Sequence, residues 1–119
     1  MTSIVLEKGQ KLEKVMEGYE KVLVQFSAEW CRPCKLITPI IKHKMALMVA
    51  EDPTLEHKIL LVYVNIETHP VLAAKCNITY IPCFHIKTPG ENTPCNPIVS
   101  GKVDVIIDFC TNNGIPLKI

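Results

Sequence analysis

Residues 22–35 read Val-Leu-Val-Gln-Phe-Ser-Ala-Glu-Trp-Cys-Arg-Pro-Cys-Lys, and this stretch joins a strand pattern to the start of a helix. The apolar run over 21–27 is almost continuous, which predicts a strand buried on both faces, as in a parallel sheet. A long helix is expected to follow from Cys34 to about Ala50. Cys31 therefore lies at or just before a helix N-terminus, where unpaired backbone N–H groups and the helix dipole stabilise an anion.

The spacing of the two cysteines points to redox chemistry. Two intervening residues let Cys34 return one turn after Cys31 and close a small disulfide ring. The helix start, together with the positive charge of Arg32, should favour a nucleophilic thiolate at Cys31 near neutral pH. Pro33 stiffens the turn and suits the start of a helix. A pair at this spacing beside a βαβ pattern is typical of a thioredoxin-like redox motif.

Half of a zinc site and a pair of structural cysteines are the other interpretations of this pair. Zinc usually needs a second close pair of ligands. The best candidates, Cys76 and Cys83, lie seven residues apart on either side of a predicted turn, so the redox interpretation is favoured. No metal-ligand spacing occurs among the histidines, which are interpreted as solvated or packed: His43, His57, His69 and His85.

Composition is that of a globular protein with no obvious charged partner. The 119 residues suit a single domain, placed at 1–119, and a hydrophobic content of 48% is enough for a core. Lys plus Arg number 13 and Asp plus Glu 12, so a net charge of +1 gives no reason to expect nucleic acid or a membrane as partner. The first residues lack the basic region of a signal peptide, so a cytoplasmic protein is expected.

Short apolar runs separated by turn residues predict the other elements. The expected order is βαβαβαββα, with strands over 4–6, 21–27, 59–66, 83–87 and 98–100 and helices over 10–18, 34–50, 69–76 and 103–112. A polar connection over 51–56 and a Pro-rich loop over 88–97 lie between elements. Alternating strands and helices imply a parallel sheet covered on both faces, and the last two strands should add an antiparallel edge.

The second helix should carry a kink and an apolar stripe. Pro39 lies inside the helix and is expected to bend it. The side chains expected on the inner face are Ile37, Ile40, Ile41, Met45 and Met48. This spacing is typical of a helix packed on a core rather than of a cofactor site.

The chain resembles the thioredoxin family over nearly its whole length. The matching residues are the stretch 22–35, Pro39, Asn65-Ile-Glu, Pro70, Tyr80-Ile81-Pro82 and Ile98-Val99-Ser100-Gly101. In that family these positions correspond to the central strand and active site, the kinking proline, the approach to a cis-proline, and the last strand. The resemblance implies an α/β protein with the thioredoxin fold, in which a central mixed β-sheet has helices on both faces (βαβαβαββα).

The resemblance also implies roles for the matching residues. Cys31 would attack a substrate disulfide, and Cys34 would resolve the mixed disulfide. Pro82 would be cis and face the cysteines, while the backbone of Ile81 would pair with the substrate chain like an added strand. Each of these roles is an expectation carried over from the family.

Four further residues are expected to form the substrate surface. Trp30 would shield the cysteines and offer a flat apolar contact, with Arg32 and Pro33 beside it. Gly101 would let the substrate backbone approach closely. The alternatives are that Trp30 is an ordinary packing residue and that Gly101 serves only a turn.

Several positions depart from the family pattern. The family usually has a buried Asp where Gln25 stands, and often a charged residue where Tyr63 stands. Gly is usual at Arg32, and Thr is common at Cys83. Without the acid, the amide at Gln25 should slow resolution of the mixed disulfide, because Gln has no basic group near neutral pH. The alternative is that Gln25 only fills space and forms hydrogen bonds in the core.

The other cysteines receive simpler interpretations. Cys83 would lie beside a cis-proline, where it could form a mixed disulfide or bind a metal with Cys31, but a small buried hydrophobe is favoured. Cys95 lies in the Pro-rich loop, where an inert surface thiol is favoured over dimerisation or modification. Cys76 and Cys110 lie at inward helical positions and are expected in the core.

These observations predict a monomeric thiol–disulfide oxidoreductase without a cofactor of its own. It would reduce disulfide-containing proteins and be recharged by a flavin-dependent thioredoxin reductase. A more oxidising or target-dedicated relative is one alternative, and an interaction module of thioredoxin fold with weak redox activity is another. The amide at Gln25 mildly favours the module, whereas Trp30, the two cysteines and Pro82 argue against it. The hypothesis of glutaredoxin-like iron–sulfur binding has still less support, because no glutathione motif is evident.

Overall fold

The computed structural model describes residues 2–91 and 97–119. Its elements follow the order β1 (Ser3–Val5), α1 (Leu12–Met16), β2 (Lys21–Ser27), α2 (Arg32–Glu51), a 3-10 helix (Pro53–His57), β3 (Ile59–Asn65), α3 (Pro70–Lys75), β4 (Cys83–Lys87), β5 (Ile98–Val99) and α4 (Val103–Asn112). The order βαβαβαββα is therefore confirmed. The 3-10 helix occupies most of the predicted polar connection, where Asp52 Oδ1 accepts a hydrogen bond from the backbone amide of Thr54 at 3.2 Å.

The strands of the described residues form a five-stranded sheet in the order β1-β3-β2-β4-β5. The β3 strand pairs in parallel with both β1 and β2. The β4 strand runs antiparallel to β2, and β5 runs antiparallel to β4, which gives the predicted antiparallel edge. Because β2 has neighbours on both sides and helices on both faces, its residues 22–26 are all buried. This explains why its apolar run is almost continuous.

Side chains alternate between the two faces of the sheet and build a core on each. Leu23, Leu61 and Phe84 pack with α2 and α4 on one face. Val24, Val62 and Cys83 pack on the other face with Leu12 of α1 and, next to them, Leu72 of α3. The period of two along a strand therefore separates the two cores. Helices on both faces of a mixed sheet confirm the expected fold class.

The apolar stripe of α2 is narrower than the sequence suggested. Its buried residues are Cys34, Ile37, Ile41, Met45 and Met48. The prediction that Ile40 lies on the inner face is wrong, because this side chain is 40% exposed. Each residue turns by about 100° around a helix, so Ile40 points away from the stripe that Ile37 and Ile41 define.

His85 in β4 is a buried imidazole on the face that carries Cys83. Its ring packs edge-on against Phe26, with the ring centroids 5.1 Å apart. Neither ring nitrogen has a hydrogen-bond partner within residues 2–91 and 97–119. Burial, and secondly the charge of Lys87, lowers the pKa of His85 to about 4. The histidine is therefore packed and neutral at physiological pH, in agreement with its interpretation as a packed residue.

Acid should destabilise the fold through His85. A folded pKa near 4, below the unfolded value of about 6.5, gives stability that is complete above pH 6.5 and is lost as the pH falls toward 4. Between pH 7.5 and 5 this group should account for a loss of about 1–2 kcal/mol in unfolding free energy. The unfolding free energy of His85→Phe should fall correspondingly less over the same pH range. The other acid-sensitive groups are the same in both proteins, so their contribution cancels in the comparison. Urea unfolding of the two proteins at each pH measures the difference, and equal losses would contradict the assignment.

Candidate active site

The redox pair lies at the junction between β2 and α2. Cys31 and Cys34 are joined by a disulfide, with their Cα atoms 5.3 Å apart. Cys31 is the N-cap of α2, and its Sγ accepts a hydrogen bond from the backbone amide of Cys34 at 3.2 Å. The helix begins at Arg32, two residues earlier than predicted. Pro33 fits there because amides of the first turn need no partner within the helix.

This geometry favours a thiolate at Cys31 once the disulfide is reduced. The amide that donates to Cys31 Sγ and the positive end of the α2 dipole both stabilise negative charge at that sulfur. Cys31 and Cys34 are only 4% and 2% exposed. The pair is therefore a shielded disulfide whose first cysteine caps a helix N-terminus, a position that stabilises the thiolate needed for thiol–disulfide exchange.

Three distant parts of the chain meet at this pair. Ala28, Cys31 and Cys34 form a small buried cluster, and Ile81 packs against it. The Ile81–Pro82 peptide bond is cis, as the resemblance implies. The carbonyl of Pro82 accepts a hydrogen bond from the amide of Ser100 at 3.2 Å, which holds the residues after β5 next to the cis-proline.

The side chains expected to contact substrate around the redox pair are exposed to solvent. Trp30 is 67% exposed, so it is not packed in the core. Arg32, Pro33 and Gly101 are also exposed. A Cβ atom placed on Gly101 would lie 3.4 Å from the Cβ of Pro33, so the glycine backbone lies directly against the first turn of α2.

Cys83 lies on the face of the sheet that carries α1 and α3. It is buried with Val24 and Phe26, and Ile81 contacts both this cluster and that of the redox pair. Burial, and then the neighbouring Cys76, raises the pKa of the Cys83 thiol. A buried thiol that resists ionisation is a weak nucleophile, so the structure favours the small buried hydrophobe over a mixed disulfide.

The remaining cysteines differ in their surroundings. Cys110 lies on the inner face of α4 and is fully buried in the core, as predicted. The same prediction for Cys76 is wrong: this residue caps the C-terminal end of α3 and is only half-buried. Its Sγ lies 3.9 Å from the ammonium of Lys87, which donates to it. Cys95 lies outside the described residues.

Within the described ranges no three His, Cys, Asp or Glu side chains are placed to hold a metal ion. None of the helices described is long and apolar enough to cross a bilayer.

Gln25 and Tyr63, two of the departures from the family pattern, meet at a single residue of α2. Gln25 is completely buried, and its Nε2 donates to Thr38 Oγ1 at 2.8 Å. The same hydroxyl donates to the carbonyl of Cys34 at 2.7 Å. The hydroxyl of Tyr63, the register partner of Gln25, donates to the carbonyl of Thr38 at 3.2 Å. Sequence reasoning missed Thr38, although its position four residues after Cys34 places it on the same helix face.

This Gln25–Thr38–Tyr63 network carries no charge at neutral pH. Burial raises the pKa of Tyr63, so its phenol stays protonated. An amide is not a base near neutral pH. Gln25 Oε1 is buried and accepts no hydrogen bond from the described residues. The network holds the first turns of α2 against β2 and β3, but it offers no acceptor for a thiol proton.

Comparison with known proteins agrees with this geometry. The family model described as Thioredoxin matches residues 3–112. The thioredoxin of Rickettsia bellii is 33% identical over 113 residues, which cover 95% of this chain and 99% of that protein. The thioredoxin of Buchnera aphidicola subsp. Baizongia pistaciae is 36% identical over 86 residues, covering 71% of this chain and 72% of that protein.

Solved structures give the same result. Schistosoma mansoni thioredoxin superposes with a TM-score of 0.75 at 25% identity, covering 93% of this chain and 94% of that one. Fasciola hepatica thioredoxin superposes with a TM-score of 0.73 at 26% identity, covering 94% of this chain and 98% of that one. The family model, the relatives and the Cys31–Cys34 disulfide agree, and the chain belongs to the thioredoxin family of protein-disulfide oxidoreductases.

Proposed function

We propose that the chain, as a single domain over residues 1–119, reduces protein disulfides through Cys31 and Cys34. The observation that carries this proposal is the hydrogen bond from the Cys34 amide to Cys31 Sγ, which prepares a thiolate at a helix N-terminus. The low exposure of Cys34 suits a cysteine that reacts only within the protein. A module that served only in binding would need neither feature.

The proposed reaction has two exchange steps. The Cys31 thiolate attacks one sulfur of a substrate disulfide, and the other substrate sulfur leaves as a thiolate and takes up a proton. Cys34 then loses its proton and attacks Cys31 Sγ. The Cys31–Cys34 bond forms, the mixed disulfide breaks, and the second substrate thiol is released. Two electrons pass from the cysteine pair to the substrate, and the protein ends in the oxidised state described here.

The substrate chain is proposed to dock beside the cis-proline. The backbone of Ile81 would pair with an extended substrate segment as an added strand, next to Pro82. The exposed ring of Trp30 would cover the apolar side of the substrate. Gly101 would admit the substrate backbone, because it has no side chain and lies beside Pro33. Arg32 and Pro33 would complete this surface.

The partners follow from the family. We propose that a flavin-dependent thioredoxin reductase returns the pair to the dithiol state, because each cycle leaves the protein oxidised. We also propose a monomer that acts in the cytoplasm on disulfide-containing proteins. The chemistry needs no cofactor bound to this chain, since both electrons come from the two thiols.

Replacing each of the two cysteines should impair disulfide reduction in a different way. Cys31→Ser should abolish reduction of insulin in the presence of dithiothreitol, because the attacking thiolate is lost. Cys34→Ser should instead accumulate mixed disulfides with target proteins, because nothing resolves them. Cys76→Ser, a thiol outside the site, serves as the matched control and should turn over normally. Normal turnover by Cys34→Ser would exclude the proposed roles.

Arg32 should raise the redox potential of the pair. Its charge stabilises the Cys31 thiolate and therefore the reduced protein, which makes the couple more oxidising. Because the side chain is exposed, Arg32→Gly should lower the potential by no more than about 30 mV. Arg32→Lys keeps the charge and is the control. Equilibration with glutathione measures both variants, and an unchanged or raised potential in Arg32→Gly would count against this role.

A further inference from the structure

A cleft of about 650 Å³ opens beside the resolving cysteine. Cys34 and Thr38 of α2 line it, together with Ser27 at the end of β2 and Tyr63 of β3. Its volume lies within the range of small-molecule sites, about 300–1,000 Å³. Trp30, Ile81, Pro82 and Gly101 do not belong to the lining described, so an occupant of the cleft would leave the proposed substrate surface open.

The resolution step needs a proton acceptor that the buried groups do not provide. Cys34 must lose a proton before it attacks Cys31, and it is only 2% exposed. The Thr38 hydroxyl donates to the Cys34 carbonyl, Gln25 is an amide, and burial raises the pKa of Tyr63 and keeps the phenol neutral. The cleft, which Cys34 and Thr38 line, is the side from which a base from solvent would approach this residue.

The charges at the rim of the cleft favour an anion. Its lining includes five exposed charged side chains: Lys8, Lys35, Lys42, Glu7 and Glu29. The balance is one net positive charge, and Lys42 lies one helical turn after Thr38, on the same side of α2. An excess of positive charge around a pocket raises the local concentration of small anions.

We propose that this cleft binds a small oxyanion, of the size and charge of inorganic phosphate, which acts as the general base for Cys34. This inference rests on the function proposed above and assigns the base for its second step. The oxyanion takes the thiol proton as Cys34 Sγ attacks Cys31 Sγ. The bond between Cys31 and the substrate breaks, and the departing thiolate takes up a proton from the protonated oxyanion or from water. No oxidant or reductant beyond the proposed reaction is needed, and the oxyanion is regenerated.

An oxyanion of this class suits the task for two reasons. A general base works best when its pKa lies near the working pH, as the second ionisation of phosphate does. It is also far smaller than the cleft, so it leaves room for the waters that would carry a proton over the last distance. Acceleration by a base bound at a site should saturate with concentration, whereas simple collision with buffer should not.

The first test follows the two exchange steps as separate phases of one absorbance time course. Reduced protein is mixed with a chromogenic aromatic disulfide, which releases one coloured thiolate on attack by Cys31 and a second on resolution by Cys34. Inorganic phosphate is increased at constant pH and ionic strength, with a cationic amine buffer as the matched control. We expect the second phase to accelerate at least about threefold and to saturate, while the first phase stays unchanged.

Variants at Gln25 test whether the base comes from outside. Gln25→Asp places a carboxylate inside the protein, so its resolution should be fast and nearly independent of phosphate. Gln25→Asn keeps the amide and should retain the dependence on phosphate. If both variants respond equally to phosphate, the oxyanion does not replace a missing internal base, and the inference is wrong.

Variants at the rim locate the site. Lys42→Gln should raise the half-saturating phosphate concentration about twofold or more, as expected for loss of one exposed charge. Lys44→Gln, on the same helix but outside the lining of the cleft, should leave it unchanged. Glu29→Gln tests a rival base at the rim. Slower resolution in that variant, with no response to phosphate in the wild type, would overturn the inference.

The outcomes also distinguish this inference from the proposed function. One outcome is a normal first phase with a second phase that does not depend on phosphate, or depends equally on the amine buffer. In that case the proposed disulfide reduction is supported and the proposed oxyanion site is wrong. If the first phase is absent in the reduced wild-type protein, the proposed function itself fails.

Discussion

The hydrogen bond from the Cys34 amide to Cys31 Sγ joins the chemistry of this protein to its fold. It exists because Cys31 caps α2, and β2, which ends at Ser27, leads through residues 28–31 into that helix. The β2 strand in turn is fixed by β3 on one side and β4 on the other, with an apolar core on each face. A shift of one residue in the register of β2 would exchange its two faces and lift the cysteines out of position. The buried centre of the sheet therefore serves as the rigid support that an exchange reaction between two nearby sulfurs requires.

Behind the cysteines, this chain has a neutral set of side chains where family members usually have a buried acid. Gln25 donates to the Thr38 hydroxyl and Tyr63 donates to the Thr38 carbonyl, so two hydrogen bonds join β2 and β3 to α2. A third, from the Thr38 hydroxyl to the Cys34 carbonyl, lies within α2. A neutral amide costs less to bury than a carboxylate, so the substitution favours folding. It also removes repulsion between a buried acid and the thiolates. The same change takes away a nearby proton acceptor, since an amide is not a base near neutral pH.

Much of this structure follows from short-range patterns. The run over 21–27 and the spacing of Cys31 and Cys34 predict β2, the start of α2 to within two residues, and the redox pair. Other features depend on contacts between distant segments. Ile40 fits an apolar periodicity, but only the position of the sheet decides which part of the stripe is covered. Thr38 is unremarkable in sequence and acquires its role because Gln25 and Tyr63 lie next to each other on neighbouring strands. The cleft likewise combines residues from the N-terminus, β2, α2 and β3, which no local pattern connects.

The alternation of side chains along β2 has a consequence for protein engineering. Gln25 faces the redox helix, whereas its neighbours Val24 and Phe26 face the opposite core together with the buried His85. Mutations in that second core can change acid tolerance or thermal resistance without reaching the hydrogen bonds behind Cys34. Changes at Gln25 or Thr38 reach those hydrogen bonds directly and lie on the other face of the sheet from His85. The two faces of the sheet therefore offer separate positions for redesign: the core around His85 for the response of the fold to acid, and Gln25 and Thr38 for the hydrogen bonds behind Cys34.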